Sequence, residues 1–276
     1  MKSLCSVSLF LPLFAFVSCI LLSIVKDFHE ANRTHCNVFN VLPSISASIS
    51  DFYPQNTLWR LCIGLDSFPR YLIAIIYYNR YYSLKADMMK SKRLYKWLVK
   101  CGFAFHFVEL TSLLMLTYVS SIEIYTVHAI SFILFLISSS IYMIITIASY
   151  HWPQDRLSFG DDEVDHLNDL NNNQLSSSSS NISSNRKAVY QRLKAKEATS
   201  YKYKLRVFLF YISSFLISLY FFIRHNKHCE PYVYSLFSLF EYLTVLANIA
   251  YHMTIFFDMS LFDSGYKITL VEHKQE

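Results

Sequence analysis

The sequence predicts an all-α polytopic membrane protein: a bundle of six transmembrane helices with both termini in the cytosol. Three observations lead there. Apolar residues make up 53% of the 276, charged residues only 16%, and mean hydropathy is +0.27, outside the balance of a soluble domain. The apolar residues fall in six blocks, roughly 5–25, 57–80, 98–120, 129–150, 206–224 and 232–256. At ~1.5 Å of rise per residue, blocks of about 20 cross ~30 Å of hydrocarbon, and only a helix satisfies its own backbone there. Alternating ten-residue strands, the mark of a membrane barrel, are missing. Lastly, of the 25 Lys and Arg, 18 fall on one side of this topology and four on the other, with Arg60, Arg70 and Arg80 inside a span. The rule that cytosolic loops are basic places both termini and loops 85–100 and 156–206 in the cytosol.

Taken in order, block one carries a single lysine before its apolar run. It ends at SIVKDF without a small-x-small cleavage site, so a retained helix is expected rather than a cleaved signal. Helices one to four occupy 1–150 and enclose a lumenal loop at 26–56. Asn32-Arg33-Thr34 in that loop is a glycosylation sequon and is expected to be used, whereas Asn181-Ile182-Ser183 falls on the cytosolic side and is expected to stay bare. Cys36 and Cys229 both fall in lumenal loops, where an oxidising compartment permits a disulfide; two free thiols are the alternative. Residues 151–204 contain NDLNNNQLSSSSSNISSNRK, too polar to bury a core, and read as a disordered cytosolic loop. Helices five and six fill 205–258, and 259–276 form a cytosolic tail.

Two groups of polar residues stand out. An ionisable group at membrane depth costs about 2.5–3.5 kcal/mol on insertion scales, so such groups face the bundle interior and find partners. Asp66 and Arg70 lie four apart on one face of helix two. His106 and Glu109 share a face of helix three, and Glu241, Asn248 and His252 form a stripe on helix six. This intramembrane layer reads either as hydrogen bonding between helices or as a buried site that handles protons. The second group lies at the lumenal rim: His35, Glu123, His128, His225, Arg60 and Arg224. It reads either as headgroup contact or as a site at the water–lipid boundary. No Gly-rich phosphate loop, G-x-S-x-G or H-E-x-x-H is present. His and Cys are too dispersed for a finger-type zinc site, and no metal is expected, although separate helices could assemble one. The basic loops follow from topology and call for no nucleic acid.

Four stretches, THCNVFNVLPSIS (34–46), WRLCIGLDSFPRYL (59–72), TYVSSIEIYTVH (117–128) and RHNKHCEPYVYSLFSLFEYLTVLANIAYHMT (224–254), resemble the post-GPI attachment to proteins factor 2 family, within a wider group that includes a damage-regulated autophagy modulator. The resemblance covers most of 1–150 and 205–258. It implies residence in Golgi membrane, and also in ER membrane, and a part in remodelling the lipid of GPI anchors. The implied reaction is reacylation of lyso-GPI at sn-2 with a saturated fatty acid, with this protein as the acyltransferase or an essential part of it. The alternatives are a lipid-binding protein that presents substrate to another acyltransferase, and a trafficking or structural protein. The implied partners are membrane lipids, lyso-GPI-anchored proteins and other remodelling enzymes. No cofactor is read from the sequence beyond an acyl donor such as acyl-CoA. Such a reaction needs a base for the sn-2 hydroxyl and positive charge for a phosphate. Counted from Ser120, Glu109 and His106 lie about 16 and 21 Å deep at ~1.5 Å per residue. The lysolipid glycerol sits near the interface. Depth therefore favours His128, His225 or His35, with Glu123, for catalysis and Arg60 and Arg224 for the headgroup, over a supporting layer of Asp66, Arg70, His106, Glu109, Glu241, Asn248 and His252.

Overall fold

The computed structural model describes residues 2–80, 92–171, 177–255 and 258. It is all-helical among these residues, with eight helices: α1 (Lys2–Lys26), α2 (Phe28–Ala31), α3 (Ile45–Ile49), α4 (Gln55–Arg80), α5 (Lys92–Tyr118), α6 (Tyr125–Asn171), α7 (Ser177–His228) and α8 (Val233–Met253). Six are long and apolar enough to cross a membrane: 8–26, 55–79, 93–118, 125–149, 198–228 and 233–253. Each span lies within a residue or a helical turn or two of a block read from sequence. Consecutive spans pack as neighbours, and α1 returns to α8, closing the bundle. Large apolar side chains such as Leu65, Phe68 and Ile137 stay exposed on its outside, as lipid-facing residues must.

Two apolar clusters hold the ring. Phe16 and Cys19 on α1 meet Trp59, Cys62 and Ile63 on α4, with Tyr242 and Leu246 of α8 against them. Phe135, Leu136 and Met143 on α6 meet Tyr211 on α7 and Ala247 and Tyr251 on α8. Thus α8 joins both clusters, which places its polar stripe between them.

The structure departs from the sequence reading at 151–204. There the backbone is helical up to Asn171 and again from Ser177 onward. A helix already nucleated inside the membrane elongates into water without repeating the nucleation cost, so weak helix formers can continue it. The segment between α1 and α4 also differs from an open loop. It contains α2 and α3 and lies along the first turns of α8, capping that end of the bundle. Ser235 Oγ accepts from the amides of Val41 (2.7 Å) and Leu42 (3.3 Å), and Tyr234 Oη donates to Ser44 Oγ at 3.1 Å. Tyr242 Oη donates to the Pro43 carbonyl. Ser44 caps α3 by accepting from Ala47 N at 3.1 Å.

At the opposite end, Asp258 accepts from Ser200 Oγ (2.7 Å) and Tyr77 Oη (3.1 Å) and pairs with the Lys204 ammonium. Both ions of that pair are buried. It ties α4, α7 and the residues after α8 together where nothing in the sequence pattern marks a junction.

Candidate functional site

At the capped end, the structure joins Cys36 to Cys229 in a disulfide with Cα atoms 5.3 Å apart. Asn37, Cys229 and Tyr232, all with positive φ, surround this bond. Asn tolerates left-handed backbone but Cys229 and Tyr232 do not, so the covalent tie and the Tyr232 N–H to Phe39 carbonyl bond (3.0 Å) hold strained chain in place there.

Most rim residues are bonded to the protein itself; the exception is His225, whose ring nitrogens are buried without a hydrogen-bond partner. His128 is buried, with Nδ1 donating to the Val119 carbonyl at 2.8 Å and Nε2 3.0 Å from Ser46 Oγ. His225 is fully buried, its ring packed on those of His35 and Tyr234. His35 is exposed, with Nε2 3.3 Å from Cys36 Sγ. Arg60 faces Glu123 at 3.9 Å, and Glu123 also accepts from Ser120 N at 3.3 Å. Arg224 holds Glu230 through Nε and Nη2, each at 2.8 Å, and this guanidinium keeps the Glu230 carboxyl below the usual range. Asn32, the sequon residue, is buried, and its Nδ2 donates to the Phe28 carbonyl at 2.9 Å.

The intramembrane layer is organised differently. Of the stripe on α8, Glu241 turns to the cap and accepts from Ile45 N at 3.0 Å. Asn248 and His252 turn instead to Glu109. Glu109 Oε1 accepts from Asn248 Nδ2 at 2.9 Å and meets His252 Nε2 at 2.8 Å. Asn248 is itself anchored by Ser139 Oγ of α6 at 2.6 Å. The second carboxylate oxygen, Oε2, is buried without a hydrogen-bond partner, and so is Nε2 of His106 one turn away. Rings fix the imidazoles: His106 stacks on Tyr142 at 4.4 Å and on His252 at 5.0 Å. Asp66 and Arg70 pair at 3.9 Å on the adjoining face of α4. Sequence reasoning missed Ser139 and Tyr142, since a serine or tyrosine in an apolar span gives no signal.

Two cavities of about 40 Å³ each border this layer, and His106 belongs to the walls of both. One is also lined by Ser8, Pro12, Arg70, Ile249 and His252; the other by Tyr78, Phe103, Tyr142 and Thr146. Both lie on the half of the bundle away from the cap, since their residues sit 15 or more positions from the capped end of α4 and 12 or more from that of α5. Pro12 inside α1 and Pro69 inside α4 bring no N–H to the carbonyls four residues earlier, Ser8 and Leu65, which adds polarity beside the layer. A carboxylate with one oxygen fixed and one open, beside an open imidazole and a guanidinium, can take a proton and steady developing charge.

No solved structure matches the chain. It is 38% identical over 248 residues to a Xenopus tropicalis protein named Acyltransferase PGAP2, covering 90% of this chain and 83% of that one. Proteins named Post-GPI attachment to proteins factor 2 are similar too. That of Drosophila melanogaster is 34% identical over 252 residues (91% and 83% of the two chains), and that of Caenorhabditis elegans 31% over 248 residues (90% and 81%). The Frag1/DRAM/Sfk1/Cwh43P N-terminal domain matches residues 1–262, and this multi-pass chain belongs to that family.

Proposed function

We propose that the protein is a membrane acyltransferase of GPI-anchor lipid remodelling, resident in Golgi and ER membrane. It returns a saturated fatty acid to the free sn-2 hydroxyl of lyso-GPI. The names of its relatives support the class of reaction and substrate. One observation carries the choice of site: Glu109 Oε2 and His106 Nε2 are buried and unpartnered and His106 lines two cavities, whereas both ring nitrogens of His128 are engaged and His225, though its ring nitrogens are also unpartnered, lines neither cavity.

In this reading Glu109 Oε2 takes the hydroxyl proton as that oxygen attacks the acyl carbonyl. Asn248 and His252 hold Oε1 and so fix the carboxylate's direction. The new ester C–O bond forms, the donor's bond to carbon breaks, and Glu109 passes the proton to the leaving group, a thiolate if the donor is acyl-CoA. Arg70 supplies positive charge for the oxyanion or the lipid phosphate. Because the cavities lie on the half away from the cap, the acyl donor enters from that side and the lysolipid from the capped side. This meets the depth objection: the two reactants approach a mid-membrane layer from opposite leaflets.

Knockout cells re-expressing variants test the assignment by lipid analysis of their GPI anchors. Glu109→Gln at normal abundance should leave lyso-GPI forms unrestored. His128→Ala should restore sn-2 chains in proportion to the protein that survives. The opposite pattern moves the chemistry to the rim.

A further inference from the structure

The layer around Glu109 has a property that proton transfer alone does not require. One ring nitrogen each of His106 and His252 and a Glu109 carboxylate oxygen all lie within 4.8 Å of one another. Two protein nitrogens and one carboxylate oxygen form the donor set of catalytic zinc sites that leave a position open. Such a site must be pre-aimed and short of other partners. His106 is 5% exposed, yet its Nε2 has no hydrogen-bond partner, and Glu109 Oε1 and His252 Nε2 already meet at 2.8 Å with only a shared proton between them. A buried polar atom in that state costs about 1–3 kcal/mol unless something satisfies it. The donors are also steered from behind, as metal ligands usually are. Ser139 anchors Asn248, which anchors Glu109, and Tyr142 stacks on both imidazoles at 4.4 and 5.6 Å.

Charge points the same way. Together with the Asp66–Arg70 pair, the layer carries two carboxyl groups and one guanidinium. The adjacent cavity of about 40 Å³ exceeds the ~10–15 Å³ that one water needs, so an oxygen of water or substrate fits at an open position. The other cluster of potential ligands, His35 with Cys36 and Cys229, has both sulfurs committed to the disulfide.

We propose that His106, Glu109 and His252 bind one divalent transition-metal ion, zinc in the first instance. The sequence alone gave no reason to expect a metal, because its three ligands lie on two helices more than 140 positions apart. The ion takes the place of the proton shared by Glu109 Oε1 and His252 Nε2, so binding releases that proton. Glu109 Oε2 stays free as the base. Whether the ion binds does not depend on the proposed function; its role, polarising the acyl carbonyl as a Lewis acid, does.

The test is metal analysis by mass spectrometry of the full-length protein, purified in detergent through a tag without histidines and equilibrated with zinc chloride. About one ion per chain is expected in wild type and in the surface variant Glu30→Gln. His106→Ala and His252→Ala should each reduce occupancy more than tenfold at limiting zinc, at least the loss seen when second-shell partners are removed. Should those variants misfold, wild-type protein loaded with cobalt gives a second reading: visible d–d absorption that excess zinc abolishes. Wild type that stays free of metal, zinc content unchanged in both histidine variants, or a cobalt complex without such bands overturns the inference. Protein that takes up no zinc on equilibration and still transfers acyl chains refutes the site and leaves the proposed function standing. Zinc-loaded protein that transfers none does the reverse.

Discussion

His128 and Glu109 show how far residue type and depth can mislead. Spacing alone puts His128 at the interface and Glu109 about 16 Å below it at ~1.5 Å per residue, and depth then favours the histidine. Depth does not say whether a ring nitrogen is already spent. The structure shows both nitrogens of His128 engaged, by Val119 and Ser46. Removing that ring takes a hydrogen bond from the half-buried Val119 carbonyl, costing about 0.5–1.5 kcal/mol. His128→Ala should therefore lower the melting temperature of purified protein and its cellular abundance; normal abundance with remodelling lost would contradict this. Glu230 permits a test against pH. Arg224 depresses its carboxyl, so the pair's contribution is complete above the ordinary glutamate range and fades only as pH falls through the lower folded value. Mild acidification leaves it intact. Glu230→Gln should shift the melting temperature equally at pH 7.2 and 6.0; a shift that vanishes at pH 6.0 would refute the pairing. At Asn32, burial of the side chain predicts a protein whose mobility does not change on glycosidase treatment.

Helices were legible and their attachments were not. Apolar blocks fix the six spans because each must satisfy its backbone inside lipid. No comparable constraint marks the cap, whose register is set by hydroxyls: Ser235 for Val41 and Leu42, Tyr234 for Ser44. Nor does the period of α8 reveal that Glu241 serves the cap while Asn248 and His252, on the same stripe, serve Glu109. The cap predicts that Glu241→Leu, which strands the Ile45 amide in a buried place, destabilises by about 1–3 kcal/mol. Glu241→Gln keeps an acceptor oxygen and should cost less, and thermal melts of the two variants compare them. The uncapped end gives a sharper case. Lys204 and Asp258 are 2% and 1% exposed, and removing one member of a buried pair costs about 3–5 kcal/mol. Asp258→Ala should thus be recovered at much lower yield than the double variant Lys204→Met/Asp258→Leu; equal yields would contradict a buried pair.

Across the whole molecule, the closed order of spans explains why residues distant in sequence meet in one layer. Because α1 packs on α8 and α8 reaches both apolar clusters, side chains from α4, α5, α6 and α8 converge at mid-depth. The charge asymmetry adds the expectation that both termini face the cytosol, which epitope accessibility at Glu276 in selectively permeabilised cells decides. That orientation makes the capped end lumenal and turns both cavities toward the cytosolic leaflet. The central claim is that acyl transfer occurs at this layer, and the most direct measurement uses the purified full-length chain with lyso-GPI and a labelled acyl donor. Wild type should transfer the label to sn-2, and Glu109→Gln should lower the rate by about 10²–10⁴, the usual contribution of a positioned base. Wild-type protein that transfers nothing, or a Glu109→Gln variant as active as wild type, would contradict it.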